Sequence, residues 1–355
     1  MGTRDYGWPN STFASIYSTR YTKHYSEQTT LQHTRSTSLI ENMSSSSQKS
    51  LHLIGVGVHH SIAPVMHNYI CERLEKPYTF HATEAQTVQD AVALLKRSDF
   101  GGAVVTMPFK QTIVEHLDEA DDLVATIGAC NNVYTSSDGR LIGTNTDWRG
   151  VLGCLTAAGD GGVGKPAMIF GAGGASRAAV YALSTHLKCP VIYVVNRDEQ
   201  EVKDLERDTT TMRSALGTRI EHITGVQQAE SLDAPYYIVG TVPDFPPQSD
   251  TEKTAFRIFD YFMASAKTRG VFLDMCFKPV ETRKIMLAKK HGWTTVAGTE
   301  IIGHQIYEQY RVWFEPGTDR VVVNESLAQD AWGVLRREAE SSPGINFKVD
   351  AVDFA

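Results

Sequence analysis

"AMIFGAGGASRAAVYALSTHL", Ala167–Leu187, decides the fold of this chain. Four apolar residues lead into a glycine turn, and a helical pattern leaves it. The turn, Gly171-Ala172-Gly173-Gly174-Ala175-Ser176, has the form GxGxxG with a serine in the last place. The first glycine permits a tight turn, and the second lets backbone N–H groups approach a pyrophosphate. Ser176 is small enough for helix and strand to pack closely. Phosphates would then rest on a helix N-terminus, where unpaired N–H groups and the helix dipole favour negative charge. Such a match alone is weak, because a glycine turn can be purely structural. Its flanks strengthen it. "CPVIYVVNRD", Cys189–Asp198, is a second strand, and it ends in Asn196, Arg197 and Asp198, about twenty residues past the turn as the motif requires. Thr241, closing the strand "YYIVGT", is expected to join these residues around a dinucleotide.

On either side, short apolar runs alternate with helical patterns, the mark of an α/β protein. Before the turn, strands are predicted at Leu51–Val58, Tyr78–Thr83 and Gly101–Met107, and helices at Ala63–Leu74, Thr87–Ser98 and Gln111–Gly128. A Gly-rich break, "AAGDGGVGKP", separates this part from the βαβ unit. Beyond it a strand is predicted at Gly270–Phe277, and long helices at Gly298–Phe314 and Asn324–Glu340. Since those helices follow the second unit, at least one is expected to pack back on the first. The fold class is therefore an N-terminal α/β domain plus a Rossmann-type, doubly wound nucleotide-binding domain.

The bulk numbers narrow the function. With 355 residues the chain can hold two domains. Hydrophobic residues at 42% and charged residues at 21% are ordinary for a globular protein. A net charge of −7 argues against nucleic acid or an acidic membrane as partner. No apolar run reaches the roughly 20 residues that span a bilayer. The cysteines Cys71, Cys130, Cys154, Cys189 and Cys276 are odd in number and far apart. They suggest neither a disulfide framework nor a zinc site, so a reducing cytoplasm fits. Residues 1–50 are rich in Ser, Thr, Tyr, Gln and His and are expected to be disordered. Met43, directly before the Ser44–Ser47 run, is a candidate start of translation. Arg4, Arg20, Lys23 and Arg35 fit a transit peptide, but Asp5, Glu27 and Glu41 spoil its acid-poor pattern.

Three further stretches hold candidate chemistry. In "VVTMPFKQTI" the β-branched Val104, Val105 and Thr106 read as a strand that Pro108 ends. Lys110 then falls at the strand's carboxyl end, the edge where open α/β sheets bind ligands, although most lone lysines are solvated. In "GRLIGTNTDWRG", Asp147 reads as a turn former placed beside the domain junction. In "HHSIAP", Ser61 precedes a helix begun by Pro64, which leaves Ala63 as a poor cap and the N-terminus open to a carboxylate. His59 and His60 are adjacent, and on a strand they would point to opposite faces, so no metal site is expected.

Together these stretches resemble the shikimate/quinate dehydrogenase family. "HSIAP", "VVTMPFK", "GACNNV", "GTNTD", "GAGGAS" and "GTEIIGHQ" are similar to six of its motifs, in order, across about Leu51 to Trp313. The resemblance implies that Lys110 and Asp147 are the catalytic pair. It implies that Ser61, Thr106, Asn131 and Gln305 hold the hydroxyls and carboxylate of a polyhydroxy cyclic acid. Hydride would leave the alcohol carbon while the hydroxyl proton needs an acceptor. A free lysine, with a pKa near 10.4, is a poor base at pH 7. Burial would lower that value, and a neighbouring carboxylate would orient the ammonium while pushing it back up. Four places depart from the family pattern. Ala63 stands for a serine, Phe277 for a tyrosine and Val104 for an asparagine, and "VGTVPDF" replaces an Asn-Ala-Thr stretch.

The implied organisation is an extension (1–50), a substrate domain (51–148, completed by 299–342), a dinucleotide domain (149–298) and a tail (343–355). Asp198 favours NAD through the ribose 2′-OH, whereas Arg197 would suit the 2′-phosphate of NADP. NAD is expected, with NADP the alternative, in a monomer or homodimer that binds neither nucleic acid nor membrane. The competing reading is a catalytically silent relative that senses quinate or shikimate, which would have no need to keep Lys110 and Asp147 in register.

Overall fold

Short strands alternate with one-sided helices to build two six-stranded sheets, and the four central strands of the second are buried along their whole length. The computed structural model describes residues 48–350. The expected N-terminal extension, with its candidate start site and transit peptide, lies outside them except for its last three residues, of which Lys49 and Ser50 already belong to the first strand.

The first sheet takes β1 (Lys49–Gly55), β2 (Tyr78–Glu84), β3 (Phe100–Val105), β4 (Glu119–Ala120), β5 (Asn132–Thr135) and β6 (Leu141–Thr144). Their order is β2-β1-β3-β5-β6-β4. Helices α1 (Ala63–Arg73), α2 (Val88–Leu95) and α3 (Asp122–Ile127) connect them. β1 pairs in parallel with β2 and β3, while β5 runs antiparallel to β3 and β6.

Three expectations change here. The first strand stops at Gly55, because the Glu84 carboxylate accepts the N–H groups of Gly57 (2.6 Å) and Val58 (3.1 Å) and turns the chain into a 3-10 turn, Val58–His60. His59 and His60 therefore share one turn, with ring centroids 4.0 Å apart, rather than facing opposite sides of a strand. The single helix expected over Gln111–Gly128 is broken. Glu119 and Ala120 pair with β6, and Asp121 caps a separate helix by accepting from Val124 N at 2.9 Å.

The second sheet contains β7 (Ala167–Phe170), β8 (Val191–Val195), β9 (Arg219–His222), β10 (Tyr237–Gly240), β11 (Val271–Asp274) and β12 (Thr294–Ala297), all parallel, in the order β12-β11-β10-β7-β8-β9. Counted from β7 this is the doubly wound order, and its switch point lies between the neighbours β7 and β10. Helix α4 (Asp147–Ala158) leads into the sheet. Helices α5 (Gly174–Tyr181), α6 (Glu199–Leu216), α7 (Val226–Glu230), α8 (Asp250–Ser265) and α9 (Arg283–Lys290) cover its faces. Along β7, Ala167 and Ile169 enter one core while Met168 and Phe170 enter the other, the period of two that a sheet covered on both faces imposes. Each such fully buried aliphatic or Phe side chain contributes about 1.5–3 kcal/mol.

The last two helices, α10 (Thr299–Phe314) and α11 (Glu325–Ser341), return to the first sheet. Tyr310 donates to the His67 carbonyl at 3.0 Å, and Trp313 Nε1 donates to Asn132 Oδ1 at 3.0 Å. Gly102, at φ 152°, lies so close beneath Trp313 that a Cβ there would meet its ring at 2.4 Å. The boundary drawn after residue 148 falls one residue past the start of α4. α4 crosses α10 closely at Gly150 and Gly153, where added Cβ atoms would meet Ile301 and His304 at 2.5 Å.

Candidate active site

Lys110 follows β3 on a turn, and Asp147 is the first residue of α4, where the helix dipole favours a carboxylate. The structure joins them: Lys110 Nζ donates to Asp147 Oδ2, with the two side chains only 14% and 8% exposed. Asp147 is thus a helix N-terminal residue rather than a turn former. Its own N–H donates to Asn145 Oδ1 at 3.0 Å. Its other oxygen, Oδ1, accepts from Asn131 Nδ2 at 2.8 Å.

Asn131 is fully buried and is the hub of this end. Its amide also donates to Gln305 Oε1 (2.9 Å) on α10, and its carbonyl oxygen accepts Thr146 N–H at 2.6 Å. Thr146 Oγ1 lies 2.6 Å from the same Gln305 Oε1. Expected to hold substrate, Asn131 here spends its amide on positioning Asp147 and Gln305. Asn145 and Thr146 carry no role in the sequence reading; Thr146 gains its own through Gln305, 159 positions away, and Asn145 through the backbone of Asp147 and Ala129.

Two pockets meet at this edge. The first, of about 230 Å³, is lined by Ser61, Thr106 and Gln305 together with Ala63, Val104, Phe277 and Ile345. Helix α1 begins at Ala63, so its cap position is Ile62 rather than Ala63, and no side chain caps it there; Ser61 Oγ instead accepts the Ala63 N–H at 3.2 Å. Burial holds His67, another wall residue, down at about 3, so it faces the pocket as a neutral ring. Gln309 also lines the pocket. It is 3% exposed, and its Oε1 has no hydrogen-bond partner among the described residues, an open acceptor that the sequence reading missed.

The second pocket, of about 660 Å³, is lined by Lys110, Gly173, Gly174, Ala175, Thr241, Met107 and Phe245, among others. Its size suits a cofactor portion and a reacting group. Gly171, at φ 123°, passes so near Thr241 that a Cβ would meet its Oγ1 at 2.2 Å. Ser176 Oγ lies 2.8 Å from the same hydroxyl, which closes the turn against β10 at the switch point. No side chain caps α5 among the described residues, so its first N–H groups stay open toward this pocket. Those features fit a dinucleotide phosphate. Ala172 is buried beneath the turn.

The loops bordering this pocket are anchored by buried charge. Lys284 Nζ, fully buried, lies 3.3 Å from Asp274 Oδ2 and 3.7 Å from Asp244 Oδ1, and donates to Val242 O at 3.2 Å. Arg283 pairs with Asp244 at 2.9 Å. Burial, only partly offset by Lys284, pushes the Asp274 carboxyl up.

The residues at the end of β8 line neither pocket and are engaged with the protein. Asp198 caps α6, its Oδ1 accepting from Gln200 N (2.8 Å) and Glu201 N (3.2 Å). Arg197 is ion-paired with Glu252, and Asn196 donates to the Asp198 carbonyl at 2.9 Å. Asp198 and Arg197, expected at the adenosine end of a dinucleotide, are thus both engaged within the protein. Among the described residues no cluster of three or more His, Cys, Asp or Glu is arranged to hold a metal, and no helix is long and apolar enough to cross a membrane.

Known proteins are similar to this chain in sequence and fold. The sequence model of the shikimate dehydrogenase substrate binding domain matches residues 53–133. The pentafunctional AROM polypeptide of Schizosaccharomyces japonicus is 34% identical over 282 residues, 76% of this chain but 17% of that protein. The chain thus spans about a sixth of the length of that relative. Quinate dehydrogenase of Emericella nidulans is 34% identical over 238 residues, 64% of this chain and 71% of that protein. The solved shikimate 5-dehydrogenase of Thermus thermophilus, in complex with NADP(H) and shikimate, is 26% identical, covers 81% of this chain and 99% of its own, and superposes with a TM-score of 0.61. By motif order, doubly wound topology and these likenesses, the chain belongs to the shikimate/quinate dehydrogenase family.

Proposed function

We propose that this protein is a nicotinamide-dependent dehydrogenase acting on a ring hydroxyl of a polyhydroxy cyclic acid of the shikimate and quinate class, or reducing the matching 3-dehydro acid. One observation carries the reading: the buried Lys110–Asp147 pair stands beside the dinucleotide turn, with Lys110 Cβ only 3.5 Å from where a Cβ on Gly174 would lie. The first sheet with α10 and α11 forms the substrate side, and the second sheet forms the nucleotide side. The bound nicotinamide accepts or returns hydride. Lys110 takes the hydroxyl proton and Asp147 orients the lysine, while Asn131 and Thr146 hold Asp147 and Gln305 in place. Ser61, Thr106, Gln305 and Gln309 offer hydrogen bonds to the ring substituents.

Gly171, Ala172, Gly173, Gly174, Ala175 and Thr241 cradle the dinucleotide, with Asn196, Arg197 and Asp198 at its adenosine end. NAD is the preferred cofactor. The Arg197 guanidinium, the cation a 2′-phosphate would need, is held by Glu252, while the Asp198 charge repels such a phosphate. The enzyme acts in the cytoplasm as a monomer or homodimer. Absorbance at 340 nm, with NAD or NADP against shikimate and quinate, tests this directly. Reduced nicotinamide should accumulate with NAD. No turnover of either acid with either cofactor would sink the reading.

A further inference from the structure

The first pocket is closed by a segment that the sequence reading left as a tail. After α11 the chain turns at Ser342, whose carbonyl accepts from Ile345 N (3.3 Å) and Asn346 N (2.9 Å). The Ile345 carbonyl then accepts from Val280 N at 2.8 Å, tying the segment to the loop that carries Phe277 and Lys278. On its other side, a Cβ at Gly344 would stand 3.0 Å from His60 Nδ1, next to the Ser61 turn. Ile345 is fully buried in the core of the first sheet and is part of the pocket wall. Two and four residues further on, Phe347 and Val349 line the second pocket.

We propose that Ile345 is a specificity-determining residue of the substrate pocket. This rests on reading that pocket as the site of the ring acid. With Ala63, Val104 and Phe277 in the same wall, Ile345 sets hydrocarbon against the end of the ring whose acid the uncapped N-terminus of α1 would receive. Shikimate carries no hydroxyl on its carboxylate-bearing carbon, which belongs to a ring double bond. Quinate carries a tertiary hydroxyl there, and where it faces Ala63, Val104, Phe277 or Ile345 rather than the Gln309 oxygen it would lose water without gaining a partner. An apolar wall rejects an added hydroxyl only moderately, by up to roughly a hundredfold. The pocket therefore prefers the unsaturated ring by roughly ten- to a hundredfold.

The test is the ratio of kcat/KM for quinate to that for shikimate, measured on the full chain. Ile345→Thr keeps the branched shape and adds a hydroxyl, and it should raise the ratio at least about fivefold, roughly one hydrogen bond's worth. Ile345→Ala should move it the same way by admitting a water, and Ile345→Val should leave it unchanged. A residue needed only for packing would lower the melting temperature in all three and leave the ratio alone, so a folded Thr or Ala variant with an unmoved ratio overturns the proposal. A wild type that already favours quinate also overturns it, with the dehydrogenase reading intact. If wild type oxidises neither acid, the dehydrogenase reading itself fails and Ile345 loses its role with it.

Discussion

At the Lys110 end of the cleft, Lys110, Asp147, Asn131, Thr146 and Gln305 satisfy one another, and each polar atom has a partner a few Å away. At the Ser61 end, Ala63, Val104, Phe277 and Ile345 surround one serine, a neutral His67 and the open Gln309 oxygen. Lys110, Asp147, Asn131 and Gln305 fall in the stretches that resemble the family motifs, while the second end carries three of the four departures from them. Proton transfer tolerates little misplacement of donor and acceptor. Binding a ring's far end can be done by several combinations of wall residues. Chemistry constrains the first end, and substrate choice is free to reshape the second.

The loops bordering the second pocket are held by charge rather than by amide networks, which allows the sharpest break. Lys284→Met would strand Asp244 and Asp274 in a fully buried site. Removing one partner of a buried pair costs about 3–5 kcal/mol, a drop in melting temperature on the order of 10 °C. Thermal unfolding followed by circular dichroism checks this, and a shift under about 2 °C, the low end for a 1 kcal/mol change, would mean that the aspartates find other partners. Lys110→Ala should act mainly on turnover: stability falls less, because Asp147 keeps its hydrogen bond from Asn131 and its place at a helix N-terminus, while kcat falls about 100-fold or more, the scale of general acid–base catalysis, with cofactor affinity unchanged. Near-wild-type turnover would reduce Lys110 to a loop cation.

The two ends also differ in how far they could be read from sequence. The dinucleotide turn was legible because strand, glycines and helix are contiguous, and each glycine has a local reason. Lys110 and Asp147 were legible only through the family resemblance, since nothing in the sequence around either marks them as partners. The hub was not legible. Asn131 meets Gln305 across 174 positions and Thr146 meets it across 159. Ile345 lay in what composition describes as a tail, and it is held in place by a backbone hydrogen bond to Val280, a contact no local pattern announces. Short edge strands such as β4 and β9 carry too few residues for a period to show. Asp198 has two readings at once. Its position suits a ribose ligand, and an aspartate just before a helix is also a natural cap, the role its Oδ1 fills here.

That double role makes a third, smaller prediction separable. Asp198→Ser removes the charge and keeps a good cap, so stability should hardly move. The kcat/KM of NADP relative to NAD should rise about tenfold, near 1.4 kcal/mol, as repulsion of the 2′-phosphate is lifted. A ratio that stays put, or a wild type that already prefers NADP, would leave Asp198 as a cap alone.

The smallest effect bears most directly on the contrast between the two ends. If the Ser61 end has lost acid-binding hydroxyls, restoring them should tighten binding of a carboxylated ring without touching the chemistry. Ala63→Ser places a hydroxyl on the first residue of α1, beside Ser61, where the uncapped helix N-terminus already favours an anion. Phe277→Tyr adds one on the facing loop, in a side chain that already lines the pocket. Each new hydrogen bond is worth about 1 kcal/mol, so each single variant should lower KM about fivefold, with kcat unchanged. The double variant should approach the product, because the two residues belong to separate segments. Steady-state kinetics at fixed NAD reads both constants. A KM that does not fall would mean that the acid is read elsewhere in this wall. Lys278, which borders both pockets, is the nearest cation for that role, and Lys278→Met would then raise KM where the added hydroxyls had failed to lower it.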